Sequence, residues 1–278
     1  MRCQWQEVLR VIPPWMRVDV DRSGREKLQE LRLRLGKQPE LCFGQTFVCL
    51  DGIVSSEDLN YVVNMGSQYS PWAATTIAHG YLTIRGGHRI GLCGEAVVQH
   101  GKMSGIRSVT GLCIRIARDF PGIAAKAKNL EGSILILGPP GSGKTTFLRD
   151  LIRHRSNNRN GSVAVVDERC ELFPNGCFDE GLHTDVLTGC PKAVGVEMML
   201  RSMGPSCIAV DEITAEEDCE ALIQAGWCGV SLLATAHASG KQDLLSRSVY
   251  KPLVRSGLFD TLLVMLPDKS WRMERMNV

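Results

Sequence analysis

The chain has 278 residues, of which 44% are hydrophobic and 22% are charged, and its formal net charge is +2. This balance is typical of a folded protein of about two domains, and it excludes a disordered or strongly basic chain. No apolar stretch approaches the ~20 residues that span a bilayer, and the N-terminus lacks the apolar core of a signal peptide, so we expect a soluble or peripheral protein of the cytoplasm.

The eleven cysteines are scattered, and no two of them form a Cys-x-x-Cys pair. Neither a zinc site nor a thioredoxin-like motif is therefore indicated. An odd number of cysteines in a chain of this length is typical of reduced, packed thiols in a cytosolic protein.

Residues 1–120 predict a small N-terminal α+β domain with a mild basic excess of 15 Lys and Arg against 11 Asp and Glu. Leu28, Leu31 and Leu35 are spaced three and four apart, which predicts one face of a short helix closed by Gly36. The other predicted elements are a strand over 43–50 with a turn at 51–52, a helix over 57–69, a hairpin of strands 81–84 and 89–93, and a strand over 113–117. Pro121 and Gly122 then break the pattern and predict a domain boundary.

Residues 121–278 alternate apolar strands with helices. Strands are predicted over 134–137, 163–166, 207–210, 230–234 and 262–266, and helices over 146–152, 196–203 and 216–226. Repeated strand–helix units with continuous apolar strands predict an α/β domain whose mostly parallel sheet is covered on both faces.

The first of these strands runs directly into the pattern G-x-x-x-x-G-K-[ST] of a P-loop. Its glycines let backbone N–H groups turn toward phosphate oxygens, at a helix N-terminus whose dipole favours anions. Lys144 would place its charge on the β- and γ-phosphates, and the Thr145 hydroxyl would bind Mg²⁺. The alternative is a chance glycine-rich turn, which the strand before and the helix after make less plausible. The predicted nucleotide-binding residues are Gly138, Pro139, Pro140, Gly141, Ser142, Gly143, Lys144, Thr145 and Thr146.

Acidic residues follow two of the other predicted strands. Asp211 and Glu212 come directly after 207–210, which is the Walker B arrangement: Asp211 would bind the magnesium shell and Glu212 would orient or deprotonate the attacking water. The alternative is an acidic helix cap after a buried strand. Glu168 belongs to the acidic run 167–171 after strand 163–166, where it would face Mg²⁺ and water unless the run is merely a solvated loop.

His237 follows strand 230–234 closely. A neutral imidazole there could hydrogen-bond the γ-phosphate or relay its presence to a neighbour, although a single histidine is more often a satisfied surface or core residue.

These motifs together resemble the type II/type IV secretion ATPase superfamily, whose members carry a Walker A, an acidic box, a Walker B and a histidine box in this order. Within that superfamily, the chain more closely resembles a sporulation-specific family. The stretches that carry this resemblance are 86–92, 114–118, 138–152, 167–171, 184–192 and 211–212.

The resemblance implies a RecA-like ATPase domain over 121–278 that binds ATP and Mg²⁺ and works as a ring, expected to be a hexamer, with nucleotide between protomers. It also implies that N-terminal arginines reach nucleotide phosphates, and Arg115 and Arg89 match best, followed by Arg118. The implied setting is the mother-cell cytoplasm, where the protein would associate peripherally with membrane proteins of a channel to the forespore and drive assembly of that channel or transport through it.

Other P-loop classes fit less well. The chain lacks the Asn-Lys-x-Asp motif of GTPases and the Leu-Ser-Gly-Gly signature of ABC ATPases. A small-molecule kinase needs neither the acidic box nor His237, and a non-hydrolysing switch does not need both Lys144 and Glu212. The main alternative is a nucleic-acid-dependent ATPase, but a net charge of +2 and the lack of a basic stripe interleaved with aromatics argue against a nucleic-acid partner.

Overall fold

The computed structural model describes residues 1–68, 80–99, 101–157, 161–174 and 177–276. The chain divides into two compact units, Met1–Asp119 and Phe120–Val278. Among the residues described, none of the helices combines the length and apolar character needed to cross a membrane.

The N-terminal unit is built on a six-stranded antiparallel sheet in the order β3-β2-β1-β6-β5-β4. Its strands are β1 (Glu30–Arg34), β2 (Glu40–Phe43), β3 (Thr46–Cys49), β4 (Tyr81–Thr83), β5 (Arg89–Gln99) and β6 (Lys102–Arg115). Its helices are α1 (Trp5–Val11), α2 (Arg17–Gly24) and α3 (Ser56–Ser67). Apolar residues of the helices and of one sheet face form a single core.

The helix predicted from Leu28, Leu31 and Leu35 is wrong, because this segment contains strand β1. Leu31 and Leu33 are fully buried, whereas Leu35 is 46% exposed. Charged residues alternate with the two buried leucines along β1, which is the period of a strand with one buried face. Pairing with β2 and β6 on either side stabilises that conformation.

The strand predicted over 43–50 corresponds to β3, and its first residue, Phe43, ends β2, the other strand of this hairpin. Gly44 adopts a φ of 82° at the turn, a conformation that glycine reaches without strain. Helix α3 matches the predicted helix over 57–69, whose last residue lies outside the described ranges. The hairpin predicted from 81–84 and 89–93 is present, although β5 and β6 extend well beyond the predicted strands.

The C-terminal unit contains the predicted mostly parallel sheet, in the order β13-β12-β7-β11-β10-β8-β9, with β13 as its antiparallel strand. Its strands are β7 (Ile134–Leu137), β8 (Val163–Asp167), β9 (Thr184–Thr188), β10 (Cys207–Val210), β11 (Ser231–Ala236), β12 (Thr261–Met265) and β13 (Trp271–Arg275). Its helices are α4 (Lys144–Asn157), α5 (Lys192–Met203), α6 (Glu216–Trp227), α7 (Lys241–Ser246) and α8 (Lys251–Arg255).

Strand order brings the predicted motifs to one edge of this sheet. The parallel strands β7, β11, β10 and β8 are consecutive neighbours, and their residues are almost all fully buried. The carboxyl ends of parallel strands meet at the same edge. The P-loop, His237, the Asp211–Glu212 pair and the acidic run 167–171 therefore follow adjacent strands.

Candidate active site

The P-loop connects buried strand β7 to the N-terminus of α4. Gly141 and Gly143 have φ angles of 75° and 96°, which lie in the left-handed region that glycine favours. A Cβ atom at Gly138 would lie only 2.7 Å from Oγ of Ser142, so the loop also needs glycine for its close packing. The backbone thus forms the glycine-dependent turn into a helix N-terminus that binds phosphate in P-loop proteins.

Lys144 is held against the backbone of its own loop. Its Nζ atom donates hydrogen bonds to the carbonyl oxygens of Gly138 and Pro139 at 2.8 and 3.0 Å. Burial lowers the pKa of Lys144 below its ordinary value, while the carboxylates of Asp211 and Glu212 oppose that shift. The Lys144 side chain is thus buried near two acidic residues, whose charges favour its cationic form.

The structure brings together the two predicted metal-binding residues. Thr145 Oγ1 donates to Asp211 Oδ2 at 2.8 Å, and Thr235 Oγ1 donates to Asp211 Oδ1 at 2.7 Å. A hydroxyl and a carboxylate are ligands that fit Mg²⁺, which usually keeps several waters and binds substrate phosphates as well. Among the described residues, no cluster of three or more His, Cys, Asp or Glu side chains could hold a metal ion.

Glu212 has an unusual backbone conformation that its neighbours stabilise. Its φ angle is 41°, a left-handed conformation that costs on the order of 1–3 kcal/mol for a residue with a side chain. Its N–H group donates to Oγ1 of Thr235 at 2.8 Å and to Oδ1 of Asp211 at 3.0 Å. The two carboxylates have different neighbours: Asp211 accepts from Thr145, whereas Glu212 lies beside His237.

The Glu212 carboxylate has one partner on each side. Its Oε1 atom lies 3.0 Å from Nε2 of His237, and its Oε2 atom lies 3.3 Å from Nη1 of Arg169. Nδ1 of His237 lies 3.2 Å from Nζ of Lys144. Because an ammonium group can only donate, Nδ1 is the acceptor in this contact, and the other ring nitrogen, Nε2, faces Glu212. His237 therefore connects the P-loop lysine to the Walker B glutamate.

Asp167 stabilises the conformation of the acidic run 167–171 through hydrogen bonds to its backbone. Its side chain is buried and accepts hydrogen bonds from the N–H groups of Glu171, Leu172 and Phe173 at 2.8 to 2.9 Å. Burial raises the pKa of Asp167 above its ordinary value, and these backbone hydrogen bonds oppose the shift. Arg149 of α4 donates to the carbonyl oxygens of Glu171 and Leu172. The loop is thereby fixed to the same helix that begins at the P-loop.

Glu168 lies on the wall of a narrow cleft and pairs with Lys192. Oε2 of Glu168 accepts a hydrogen bond from Nζ of Lys192, a buried residue at the start of α5. The cleft is lined by Asp167, Glu168, Arg169, Glu171, Lys192, Asp211 and Glu212. The acidic box and the Walker B pair thus share one cavity.

Arg115 belongs to the N-terminal unit, at the end of β6. Its Nε atom lies 3.3 Å from Oε1 of Glu30, and 65% of its side chain is exposed. A contact of Arg115 with nucleotide stays a prediction.

Three residues of the site have no role in the sequence prediction: Arg169, Lys192 and Thr235. Arg169 lies inside the acidic run 167–171, and Thr235 lies two positions before His237. Their positions in the sequence could therefore have suggested that both residues belong to the site. Lys192 is 24 positions from Glu168, and only the pairing of β8 with β9 brings the two together. No periodicity or spacing in the sequence indicates that contact.

The site and the sheet define the RecA-like P-loop fold of the secretion ATPases, with an N-terminal α+β unit. The ATPase DotB of Legionella pneumophila is similar with a TM-score of 0.58 and 18% identity, over 95% of this chain and 80% of that one. The pilus retraction motor PilT, solved with bound ADP, is similar with a TM-score of 0.61 and 14% identity, over 88% of this chain and 76% of that one.

Sequence similarity gives the family. The model of the family described as "Sporulation stage III, protein AA" matches residues 5–272. Stage III sporulation protein AA of Bacillus subtilis (strain 168) is 36% identical over an alignment of 276 residues, and the match covers 92% of this chain and 89% of the relative. The chain belongs to the sporulation stage III protein AA family.

Proposed function

We propose that this protein is a Mg²⁺-dependent ATPase that works as a ring-forming motor at a channel between mother cell and forespore. The observation that carries the proposal is the 2.8 Å hydrogen bond from Thr145 of the P-loop to Asp211, directly before Glu212. A hydroxyl and a carboxylate at that distance form the magnesium site of P-loop NTPases, and the next residue is placed to act on water.

Each residue of the site has a separate task in this reaction. The P-loop backbone and Lys144 bind the β- and γ-phosphates and neutralise the charge that develops during transfer. Thr145 and Asp211 hold Mg²⁺, which when bound would polarise the same phosphates. Glu212 orients the attacking water and accepts its proton.

His237 reports the state of the nucleotide to Glu212. It donates to the Glu212 carboxylate and accepts from Lys144, so a phosphate that draws Lys144 away changes the hydrogen bonding of the imidazole. Glu168, which lines the same cleft as Asp211 and Glu212, supports the reaction at the water and the ion.

We further propose that the active unit is a ring with shared sites, as the family resemblance implies. Arg115 of one protomer would reach the nucleotide held by the next, and its largely exposed guanidinium is free to do so after releasing Glu30. An arginine supplied in this way contributes about 10³–10⁵ to the rate in other P-loop enzymes.

Family membership supports the proposed cellular setting. The Bacillus subtilis relative is named for stage III of sporulation, and PilT is described as a pilus retraction motor. We propose that the present chain acts in the mother-cell cytoplasm and docks on membrane proteins of the channel through its mildly basic N-terminal half.

The test is ATP turnover by the purified protein with Mg²⁺, with EDTA, and with added single-stranded DNA or RNA. The proposal predicts turnover that needs Mg²⁺ and is indifferent to nucleic acid. A large, salt-sensitive stimulation by nucleic acid would favour the nucleic-acid-dependent ATPase.

A second experiment tests docking on the channel. Membrane association of the protein should disappear in cells that lack the channel proteins, and association that persists without them would contradict docking.

A further inference from the structure

The cleft beside Asp211 and Glu212 contains a buried lysine with no task in the proposed reaction. Lys192 is the first residue of α5, yet only 5% of its surface is exposed, and lysine is almost never buried without a partner. Its Nζ atom donates to Oε2 of Glu168 and lies 3.8 Å from Oδ2 of Asp218. Two carboxylates therefore hold one cation inside the fold.

The ion pairs of Lys192 connect residues that follow three neighbouring strands. Glu168 follows β8, Lys192 follows β9, and Asp218 belongs to α6, which follows β10; the sheet order is β10-β8-β9. Asp218 is itself fixed, because its Oδ2 atom accepts from two backbone N–H groups just before α6 at 3.0 and 3.2 Å. One of the two carboxylates beside Lys192 is therefore buried and held by backbone hydrogen bonds, and the other is more exposed.

Glu168 is the more exposed partner. Its side chain is 38% exposed, compared with 9% for Asp218, and it lines the same cleft as Asp211 and Glu212. Like charges repel in such a cavity, so a carboxylate without a cation beside it would turn away toward solvent. We propose that Lys192 is a positioning residue that holds the Glu168 carboxylate at the cleft wall, facing the water and the ion. This inference rests on the proposed ATPase function.

The first test is steady-state ATP hydrolysis by Lys192→Met, which removes the charge and keeps the length of the side chain. We expect kcat to fall about tenfold or more, since small misplacements in an active site have effects of up to about 10²-fold. The KM for ATP should stay within about twofold of wild type, because the P-loop is intact. Lys251→Met is the matched control, since Lys251 is the exposed first residue of α8, and it should behave as wild type.

The second test separates positioning from general damage by repeating the substitution in a Glu168→Gln background. If Lys192 acts through Glu168, Lys192→Met should change kcat by less than about twofold in that background. An equal loss in both backgrounds, or full activity of Lys192→Met, would overturn the inference. Lys192→Gln, which stays polar beside Asp218, serves in the same cycle if Lys192→Met does not fold. A wild-type protein that hydrolyses no ATP would overturn the proposed function and this inference together.

Discussion

Nδ1 of His237 accepts a hydrogen bond from the Lys144 ammonium, at 3.2 Å and across 93 positions of the chain. The opposite nitrogen of the same ring faces Glu212 at 3.0 Å. One imidazole therefore contacts both the residue proposed to bind phosphate and the residue proposed to activate water. We therefore expect His237 to couple nucleotide binding at Lys144 to the position of the Glu212 carboxylate.

Replacement of His237 by Asn should slow hydrolysis while leaving ATP bound. Lys144 and the P-loop remain in place, but Glu212 loses the group that orients one side of its carboxylate. We expect kcat to fall by up to about 10²-fold, the typical effect of a misplaced catalytic group. Equilibrium binding of a fluorescent ATP analogue and steady-state turnover measure the two effects. A variant with wild-type kcat would show that the imidazole contributes packing and does not affect catalysis.

Glu212→Gln should retain ATP and lose cleavage. The amide keeps the shape of the side chain but cannot accept the proton of water, a role that typically contributes about 10²–10⁴-fold. Single-turnover hydrolysis of bound ATP is the measurement. Glu220→Gln, an exposed position of α6, is the control and should be fully active. Loss of ATP binding by Glu212→Gln would instead point to a structural role for the strained turn at this residue.

The N-terminal unit should lose stability in mild acid because of His88. This imidazole is fully buried, contacts the Gln4 carbonyl at 3.1 Å and accepts from the N–H of Ala117 at 3.1 Å. Burial lowers the pKa of His88 below its ordinary value, so the unfolded chain, with a pKa of about 6.5, binds the proton more readily. The stabilisation is present above about pH 6.5 and is lost as the pH falls toward the lower pKa of the folded state.

Thermal unfolding between about pH 7.5 and about pH 5.5 measures this effect. The wild-type midpoint should fall more steeply with decreasing pH than that of His88→Gln, which has no titrating ring. Parallel pH profiles for the two proteins would show that His88 does not control the acid sensitivity.

Two defective variants should complement each other's ATPase activity when mixed, if each active site is shared between two protomers. Arg115→Ala leaves Glu212 intact and Glu212→Gln leaves Arg115 intact, so a mixed ring contains some complete sites. We expect each variant to be defective alone and the mixture to be more active than the sum of its parts, with wild-type specific activity rising with protein concentration. Constant specific activity on dilution, together with no gain on mixing, would exclude the shared site.

The sequence predicts the C-terminal unit better than the N-terminal one, for physical reasons. Strands such as β7 and β10 are buried on both faces and read as continuous apolar runs, and the P-loop has fixed spacing. Strand β1 is short, and its leucines also satisfy a helical spacing, so only pairing with β2 and β6 decides its structure. The edge strand β13 is half exposed and shows no apolar run.

Much of the candidate site follows from motifs, but its supporting contacts do not. Lys144, Thr145, Asp211 and Glu212 could be predicted because the chemistry fixes their positions after strands. The pair of Lys192 with Glu168 depends on the order of strands in the sheet, which spacing along the chain does not encode.

Hydrolysis of ATP at the P-loop of the C-terminal unit is tested by the variant Lys144→Ala. The substitution removes the buried cation that faces Asp211 and Glu212. Steady-state release of phosphate from Mg²⁺-ATP should fall by about 10²-fold or more, with weaker ATP binding, while the exposed control Lys251→Ala stays at the wild-type rate. If purified Lys144→Ala turned over ATP as fast as the wild-type protein, hydrolysis would not occur at the P-loop, and the proposed ATPase site would be wrong.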